Sequence, residues 1–278
     1  MPSAELSPES ITSPFTNLWG ALFKGGTYSL KTFYEIKNTI MRYDDRTDYV
    51  NLGYWDGDEK ANPSARLVEE TAVQLKLTPD DILLNIGSGL GQPDIDIMQR
   101  FSPERIIGVN SSSAQVTYAN AKFSALKLAD RIKHRVADAR SLDDDLAHEG
   151  ITSVISVEAL AEIPDVAAVF QKCYELLPPG GRIGFCDGIR IDQAKGGPLK
   201  RLMGQLLFKL VTVLYNDHMR PAGDYISFLE KSGFTDVRYE SIGDKVYPPL
   251  YRHAKNRFPM LRSKKFPLFM RWITHLNF

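Results

Sequence analysis

From about residue 63 to residue 189, short apolar or β-branched runs alternate with segments whose apolar residues recur at helical spacing. The runs cover residues 81–86, 105–110, 132–137, 151–157 and 182–187. Their separation of roughly 20 to 30 residues is that of strand-helix-strand units. The helical segments cover 63–77, 93–101, 114–128 and 166–177, the last stopped by Pro178-Pro179-Gly180-Gly181. Strands reading as near-continuous apolar runs are buried on both faces. The pattern therefore predicts an α/β fold, a doubly wound, mainly parallel sheet with helices on both sides. A sixth strand is predicted over 234–242, behind the Ser232-Gly233 turn.

The flanks read differently. Residues 1–62 form a predicted helical cap, with a helix-like segment at 29–43 and a polar aromatic stretch from Tyr43-Asp44-Asp45-Arg46 to Asn51-Leu52-Gly53-Tyr54-Trp55. Residues 63–189 are the core and 190–225 a lid, whose apolar helix at 198–215 is placed above the carboxyl ends of the strands. Residues 226–244 complete the sheet. From Lys245 to Phe278 the chain holds eight Lys/Arg and no Asp/Glu, interleaved with Tyr247, Tyr251, Phe258, Phe266, Phe269 and Trp272. This basic extension reads as helical. Phe266, Phe269, Met270 and Ile273 form an apolar stripe beside Lys264, Lys265 and Arg271. Such a helix packs on its own core, lies on an anionic membrane surface, or docks on a neighbouring subunit. Docking ranks first, because the Pro-punctuated segment at 247–267 reaches a neighbour, so a homo-oligomer is expected.

Composition narrows the classes. The 278 residues are 43% hydrophobic, and 34 Lys plus Arg balance 34 Asp plus Glu, which gives the molecule as a whole no preference for nucleic acid. Cys173 and Cys186, the two cysteines, have no metal-ligand spacing and imply neither a disulfide framework nor a metal site. Residues 1–13 lack a basic start and an apolar run, and nowhere do eighteen uncharged apolar residues follow one another. A cytoplasmic protein without a membrane span is expected.

The chemistry concentrates at predicted strand ends. Asn85-Ile86-Gly87-Ser88-Gly89-Leu90-Gly91-Gln92-Pro93 falls where the first strand turns into a helix. Glycines at alternate positions let the backbone turn tightly and approach a ligand, and the helix N-terminus offers N–H groups to a carboxylate or phosphate. A dinucleotide fold wants Gly-x-Gly-x-x-Gly, and Gln92 stands at that last position, so the loop favours a nucleoside with an amino-acid tail over a pyrophosphate. At the second strand end, Asn110-Ser111 through Gln115 offers an acceptor to ribose hydroxyls. At the third, Asp138-Ala139 offers a carboxylate to an adenine amino group. Singly, Asn110 and Asp138 read as a turn former and a helix cap. Three polar signals at successive strand ends instead mark the ligand crevice of an open α/β sheet.

With these residues in view, the stretch from Ile82 to Asp187 resembles the core of class I S-adenosylmethionine-dependent methyltransferases. The resemblance is to their small-molecule branch, which includes natural-product, terpenoid and sterol C-methyltransferases. The Gly87–Pro93 loop resembles that family's first motif and Gly108-Val109-Asn110 through Gln115-Val116 its second. Asp138-Ala139 matches the adenine position, Ser156-Val157-Glu158-Ala159-Leu160 with Ile163-Pro164-Asp165 the fourth-strand motif, and Leu177 through Gly181 the turn before the fifth strand. The resemblance implies a Rossmann-like fold and S-adenosylmethionine held by Gly87, Ser88, Gly89, Gly91, Gln92, Asn110, Ser111, Gln115, Asp138, Ala139 and Glu158. It also implies that Tyr54, of Leu52-Gly53-Tyr54-Trp55, closes over the cofactor; Tyr43 is placed with it, and Tyr28 and Trp55 on the acceptor side. Two amides depart from the pattern: Asn85 stands at a usually acidic position and Asn110 at the usual ribose-binding carboxylate. Each keeps an acceptor oxygen and loses the charge.

Ala161-Glu162 occupies a place where several O-methylating relatives carry a His pair. Methyl transfer from a sulfonium needs collinear donor and nucleophile in a dry site, and a base only if the nucleophile loses a proton. The expected reaction is therefore C-methylation of a small apolar, prenylated or otherwise electron-rich natural product, with aromatic faces such as Tyr28, Phe33, Tyr34, Tyr43, Tyr54 and Trp55 stabilising a carbocation. Any one of those rings alone reads as packing. Glu162 and His218 are the candidate proton acceptors, each also readable as an ordinary exposed or loop residue. O- or N-methylation, a nicotinamide oxidoreductase and a non-catalytic binding module are the alternatives.

Overall fold

The computed structural model describes residues 48–49, 51–57, 62–142, 144–190 and 218–257. The predicted helices at 29–43, 198–215 and 266–278, and with them Tyr28, Phe33, Tyr34 and Tyr43, lie outside the described residues.

The first helix, α1 (Pro63–Leu75), begins where the Asn62 carboxamide accepts from the N–H groups of Ser64 and Ala65. Lys76 ends it in the left-handed conformation at φ 55°. Five parallel strands follow: β1 (Ile82–Ile86), β2 (Arg105–Asn110), β3 (Ile132–Val136), β4 (Ser153–Val157) and β5 (Arg182–Cys186). Between them run α2 (Gln92–Phe101), α3 (Ser113–Ala125), the single turn α4 (Asp144–Ala147) and α5 (Val166–Leu176). The order across the sheet is β3-β2-β1-β4-β5.

Successive strand residues face opposite sides of a pleated sheet, and the apolar runs divide accordingly. Leu83, Ile106 and Ile155 pack with Val68 and Ala72 of α1, Ile97 and Met98 of α2 and Phe123 of α3. Leu84, Ile107 and Val154 pack on the other side with Val169, Phe170 and Cys173 of α5. That second layer also takes Tyr225 and Leu229 from α6 (Ala222–Ser232).

The predicted sixth strand at 234–242 is not formed; the segment pairs with no strand of the sheet. Phe234 and Val237 pack on the core, but Asp236 between them takes φ 55°, which breaks the alternation a strand requires. The chain then enters α7 (Gly243–Arg257), with Pro248 and Pro249 inside the helix. Proline has no N–H to give the carbonyl four residues back, so Pro249 leaves the Lys245 carbonyl open. The Trp55 N–H fills it at 2.8 Å. No helix among the described residues is long and apolar enough to cross a membrane.

At the amino ends of β1, β4 and β5 a buried carboxylate ties the strands together. Arg182 Nη2 donates to Asp81 Oδ1 and Oδ2 at 2.5 and 2.6 Å. The hydroxyls of Thr152 and Ser153 donate at 2.8 Å, and the Thr78 N–H at 2.7 Å. Burial works to raise the Asp81 pKa, but hydrogen bonds from the Thr78 N–H and from Ser153, Thr152 and Thr78 hydroxyls outweigh it and hold the carboxyl below its ordinary range. A depressed carboxylate contributes stability above the unfolded pKa of about 3.9 and loses it as the pH falls through the folded value. Asp81→Asn should cost about 1.5–3 kcal/mol at neutral pH. It should also flatten the fall of Tm on acidification below about pH 4; acid limbs parallel to wild type in calorimetric scans would reject this role.

Candidate active site

The glycine loop occupies the carboxyl end of β1, beside β4, where the strand order reverses and an open crevice is expected. Two glycines do different work. Gly87 (φ 74°) lies against Ala159, whose Cβ would overlap any Cβ placed at 87. Among the described residues, the nearest atom to a Cβ placed at Gly89 (φ 57°) is the Gly87 carbonyl oxygen, at 4.0 Å. Gly91 is the N-cap of α2 and supplies no side-chain hydrogen bond, which leaves first-turn N–H groups uncapped.

Asn110, Ser111 and Gln115 come together after β2. Asn110 Nδ2 donates to Gln115 Oε1 at 2.6 Å, and its Oδ1 accepts the Ser112 N–H at 3.2 Å. The amide thus shapes its own turn and retains a second lone pair on Oδ1. Asp138, after β3, is 44% exposed and held by Arg140, which donates from Nε at 3.0 Å and from Nη2 at 2.6 Å. That hydrogen bonding keeps the Asp138 carboxyl below its usual range. Ala139 packs against the core beside it. Gln92 joins a separate chain: its Nε2 donates to Asp96 at 2.8 Å and its Oε1 accepts from Lys122 at 2.6 Å. Lys122 also pairs with Asp48 at 2.7 Å, and the Tyr49 hydroxyl donates to Asp96, so residues 48–49 are tied to α2 and α3.

The opposite wall is built from distant segments. Glu158, at the end of β4 with φ 53°, accepts the Leu52 N–H through both carboxylate oxygens at 2.9 and 3.1 Å. The segment carrying Tyr54 and Trp55 is thereby held at the crevice, with the Tyr54 N–H on the Pro63 carbonyl at 2.8 Å and the Trp55 indole N–H on the Leu52 carbonyl at 3.0 Å. A short 3₁₀ turn, Leu160–Glu162, follows; Glu162 is exposed in it, and Asp187 accepts the Ala161 N–H at 3.0 Å. The His218 N–H donates to the Ala161 carbonyl at 3.1 Å, which fastens His218 to the turn that carries Glu162. Among the described residues His218 Nε2 is buried without a hydrogen-bond partner. The Cys186 thiol nearby is pushed up to about 12 by burial, with Glu158 and Asp187 adding to the shift, which leaves it a poor nucleophile at neutral pH.

Sequence reasoning missed a buried polar chain beneath the loop. Asn85 Nδ2 donates to Asp94 Oδ1 at 2.7 Å, Asp94 Oδ2 meets His134 Nε2 at 2.6 Å, and His134 Nδ1 meets Ser88 Oγ at 3.1 Å. The available signal was polarity out of place: His134 stands at a buried position of β3, and Asp94 in the first turn of α2 has no exposed surface.

Residues 84–185 match the family described as methyltransferase domain. The erythromycin 3''-O-methyltransferase of Saccharopolyspora erythraea is 29% identical over 208 residues, 72% of this chain and 66% of that relative. The 27-O-demethylrifamycin SV methyltransferase of Amycolatopsis mediterranei is 30% identical over 223 residues, 77% of this chain and 76% of that relative. The chain belongs to the S-adenosylmethionine-dependent methyltransferases. The fold agrees: geranyl diphosphate C-methyltransferase from Streptomyces coelicolor A3(2), solved with Mg2+, geranyl diphosphate and S-adenosyl-L-homocysteine, aligns with a TM-score of 0.63 at 16% identity, over 87% of this chain and 91% of that one. S-Adenosylmethionine is accordingly the cofactor of this methyltransferase. The residues present fit it, since among the described residues Gly89 leaves an open cradle and the start of α2, without a side-chain cap, offers N–H groups to a carboxylate.

The two glycines separate cofactor binding from folding. Asn tolerates the left-handed conformation, so Gly89→Asn fills the cradle at little conformational cost. Its affinity for S-adenosylhomocysteine, measured by calorimetry, should fall about tenfold or more, with Tm lowered by only a few degrees. Gly87→Ala should lose both stability and binding through the overlap with Ala159. Unchanged affinity in Gly89→Asn would exclude the loop from the cofactor site. Asp138→Ala should weaken the same ligand several-fold, as expected for a charge-assisted hydrogen bond discounted for exposure, about 1 kcal/mol; unaltered titrations would remove Asp138 from the site.

Proposed function

We propose that this methyltransferase moves a methyl group from S-adenosylmethionine to a small, largely apolar metabolite lying against the carboxyl ends of β4 and β5. The cofactor supplies an electrophilic methyl on a sulfonium. The loop Gly87–Gln92, with Asn110, Ser111, Gln115, Asp138 and Ala139, binds the cofactor. Glu158 holds the segment of Tyr54 and Trp55 over it, and these two rings exclude water from the acceptor.

The acceptor atom turns on whether a base is available. The observation that carries the reading is His218, whose Nε2 is buried and unpaired among the described residues while its backbone is fastened to Ala161. A buried imidazole nitrogen without a partner is suited to accept the proton that an acceptor hydroxyl loses. Together with the O-methyltransferase of Saccharopolyspora erythraea among the relatives, it favours a hydroxyl acceptor. C-methylation of a prenylated or other electron-rich carbon is the second reading. It draws on the lack of histidine at Ala161-Glu162 and on the Trp55 ring, which lies 5.0 Å from the His253 ring at the crevice wall.

His218→Ala tests the choice on a panel of hydroxylated polyketides, phenols and prenylated compounds with 13C-methyl-labelled S-adenosylmethionine. A base role predicts methoxy carbon in the product and a fall in kcat of about 100-fold, with the affinity for S-adenosylhomocysteine unchanged. Methyl carbon bonded to carbon, with kcat untouched by the substitution, would transfer the assignment to C-methylation.

A further inference from the structure

We propose that Asp94 and His134 are positioning residues for cofactor binding, acting on the glycine loop through Ser88; the inference rests on the reading that this loop holds the cofactor. A carboxylate removed from water is tolerated only when donors reach its oxygens. Asp94 has no exposed surface and meets this condition with Asn85 on one oxygen and His134 on the other. The carboxylate accepts only, so His134 Nε2 carries a proton. In the neutral ring Nδ1 is then an acceptor, and the Ser88 hydroxyl 3.1 Å away donates to it. The alternative acceptor for that hydroxyl, the Val109 carbonyl, is more distant at 3.4 Å.

Ser88 is the point at which this hydrogen bonding reaches the loop. It stands between Gly87 and Gly89, neither of which has a side chain to anchor it. Its N–H donates to the Val109 carbonyl of β2 at 3.2 Å, and its hydroxyl reaches β3 through His134. The imidazole reaches the loop because its register partner on β2 is Gly108, where any Cβ would overlap the ring. The loop is thus braced from α2, β2 and β3 together, and its backbone geometry is set before a ligand arrives.

Asn85 acquires a reason from the same geometry. An aspartate there would set two buried carboxylates 2.7 Å apart. The amide is required as a donor to Asp94. The sequence of groups Ser88, His134 and Asp94 has the composition of a nucleophile triad, but the three residues are 1%, 2% and 0% exposed, so no substrate reaches the hydroxyl.

Calorimetry with S-adenosylhomocysteine on the full chain tests the proposal, joined by 15N spectra of the histidine rings. Ser88→Ala removes the last link with little change in volume and should weaken binding about three- to tenfold, the effect of one hydrogen bond, while Tm falls by only a few degrees. Addition of S-adenosylhomocysteine should shift the His134 ring nitrogens, assigned by their loss in His134→Gln. Asn85→Asp should bind poorly, and Asn85→Asp combined with Asp94→Asn, which moves the charge across the same hydrogen bond, should recover most of the affinity. An unchanged dissociation constant in Ser88→Ala, or ring resonances that the ligand leaves in place, overturns the proposal. Gly89→Asn separates this outcome from failure of the underlying reading: if it too binds normally, the loop is not the cofactor site, whereas weak binding there beside normal Ser88→Ala leaves the loop in place and removes only the brace.

Discussion

β1 is hydrogen-bonded to β2 along one side and to β4 along the other, in parallel on both. Parallel crossovers are right-handed, so the chain leaves this strand toward one face to build β2 and β3 and toward the other to build β4 and β5. The helices part at its carboxyl end, and the opening they leave is where the glycine loop, the end of β4 and the segment of Trp55 meet. The positions of the glycine loop and of Glu158 at the end of β4 both depend on that reversal. A loop of the same composition at another strand would face a helix instead of a crevice.

Two buried carboxylates hold the central strand at its opposite ends. Asp81, just before β1, gathers Arg182, Thr152, Ser153 and Thr78 and ties β1 to β4 and β5. Asp94, just beyond the loop, gathers Asn85 and His134 and ties β1 to β3 across β2. Neither contributes apolar burial. Both are directional, and in a sheet whose faces are covered by interchangeable aliphatic side chains, directional contacts fix the relation of one strand end to the next. The first is placed at the end of the sheet away from the crevice and bears on stability. The second lies beneath the glycine loop and, through His134, meets the Ser88 hydroxyl.

The wall opposite the glycine loop is assembled from pieces far apart in sequence. The Leu52 N–H rests on Glu158, the Trp55 N–H on Lys245, and the His218 N–H on Ala161. Each link uses a main-chain group that local structure leaves open: Pro249 deprives Lys245 of its helical donor, and the 3₁₀ turn after β4 ends too soon to use the Ala161 carbonyl. The wall of the crevice is therefore made of unfinished ends of secondary structure, each completed by another segment.

The alternation of apolar runs with helical periodicity by itself determined five strands, their helices and the strand ends that carry Gly87, Asn110 and Asp138. Burial on two faces imposes that period on any sequence that folds this way. The resemblance of the glycine loop and of the later strand-end motifs to those of the methyltransferases was legible as well, because glycine spacing follows from backbone conformation, a local property. The sixth strand failed for a reason equally local yet not readable from hydropathy, the left-handed Asp236 in an otherwise apolar run. The extension after Lys245 reads as helical and α7 is helical, yet two prolines count against its first turns unless another segment supplies the missing hydrogen bond, as Trp55 does. Which polar groups meet was decided only by the tertiary structure: Asp94 with His134 forty residues on, and His218 with Ala161 far back in the chain. Hydrogen bonds between distant residues leave no periodic trace in a sequence, because their partners share a point in space and not an interval along the chain.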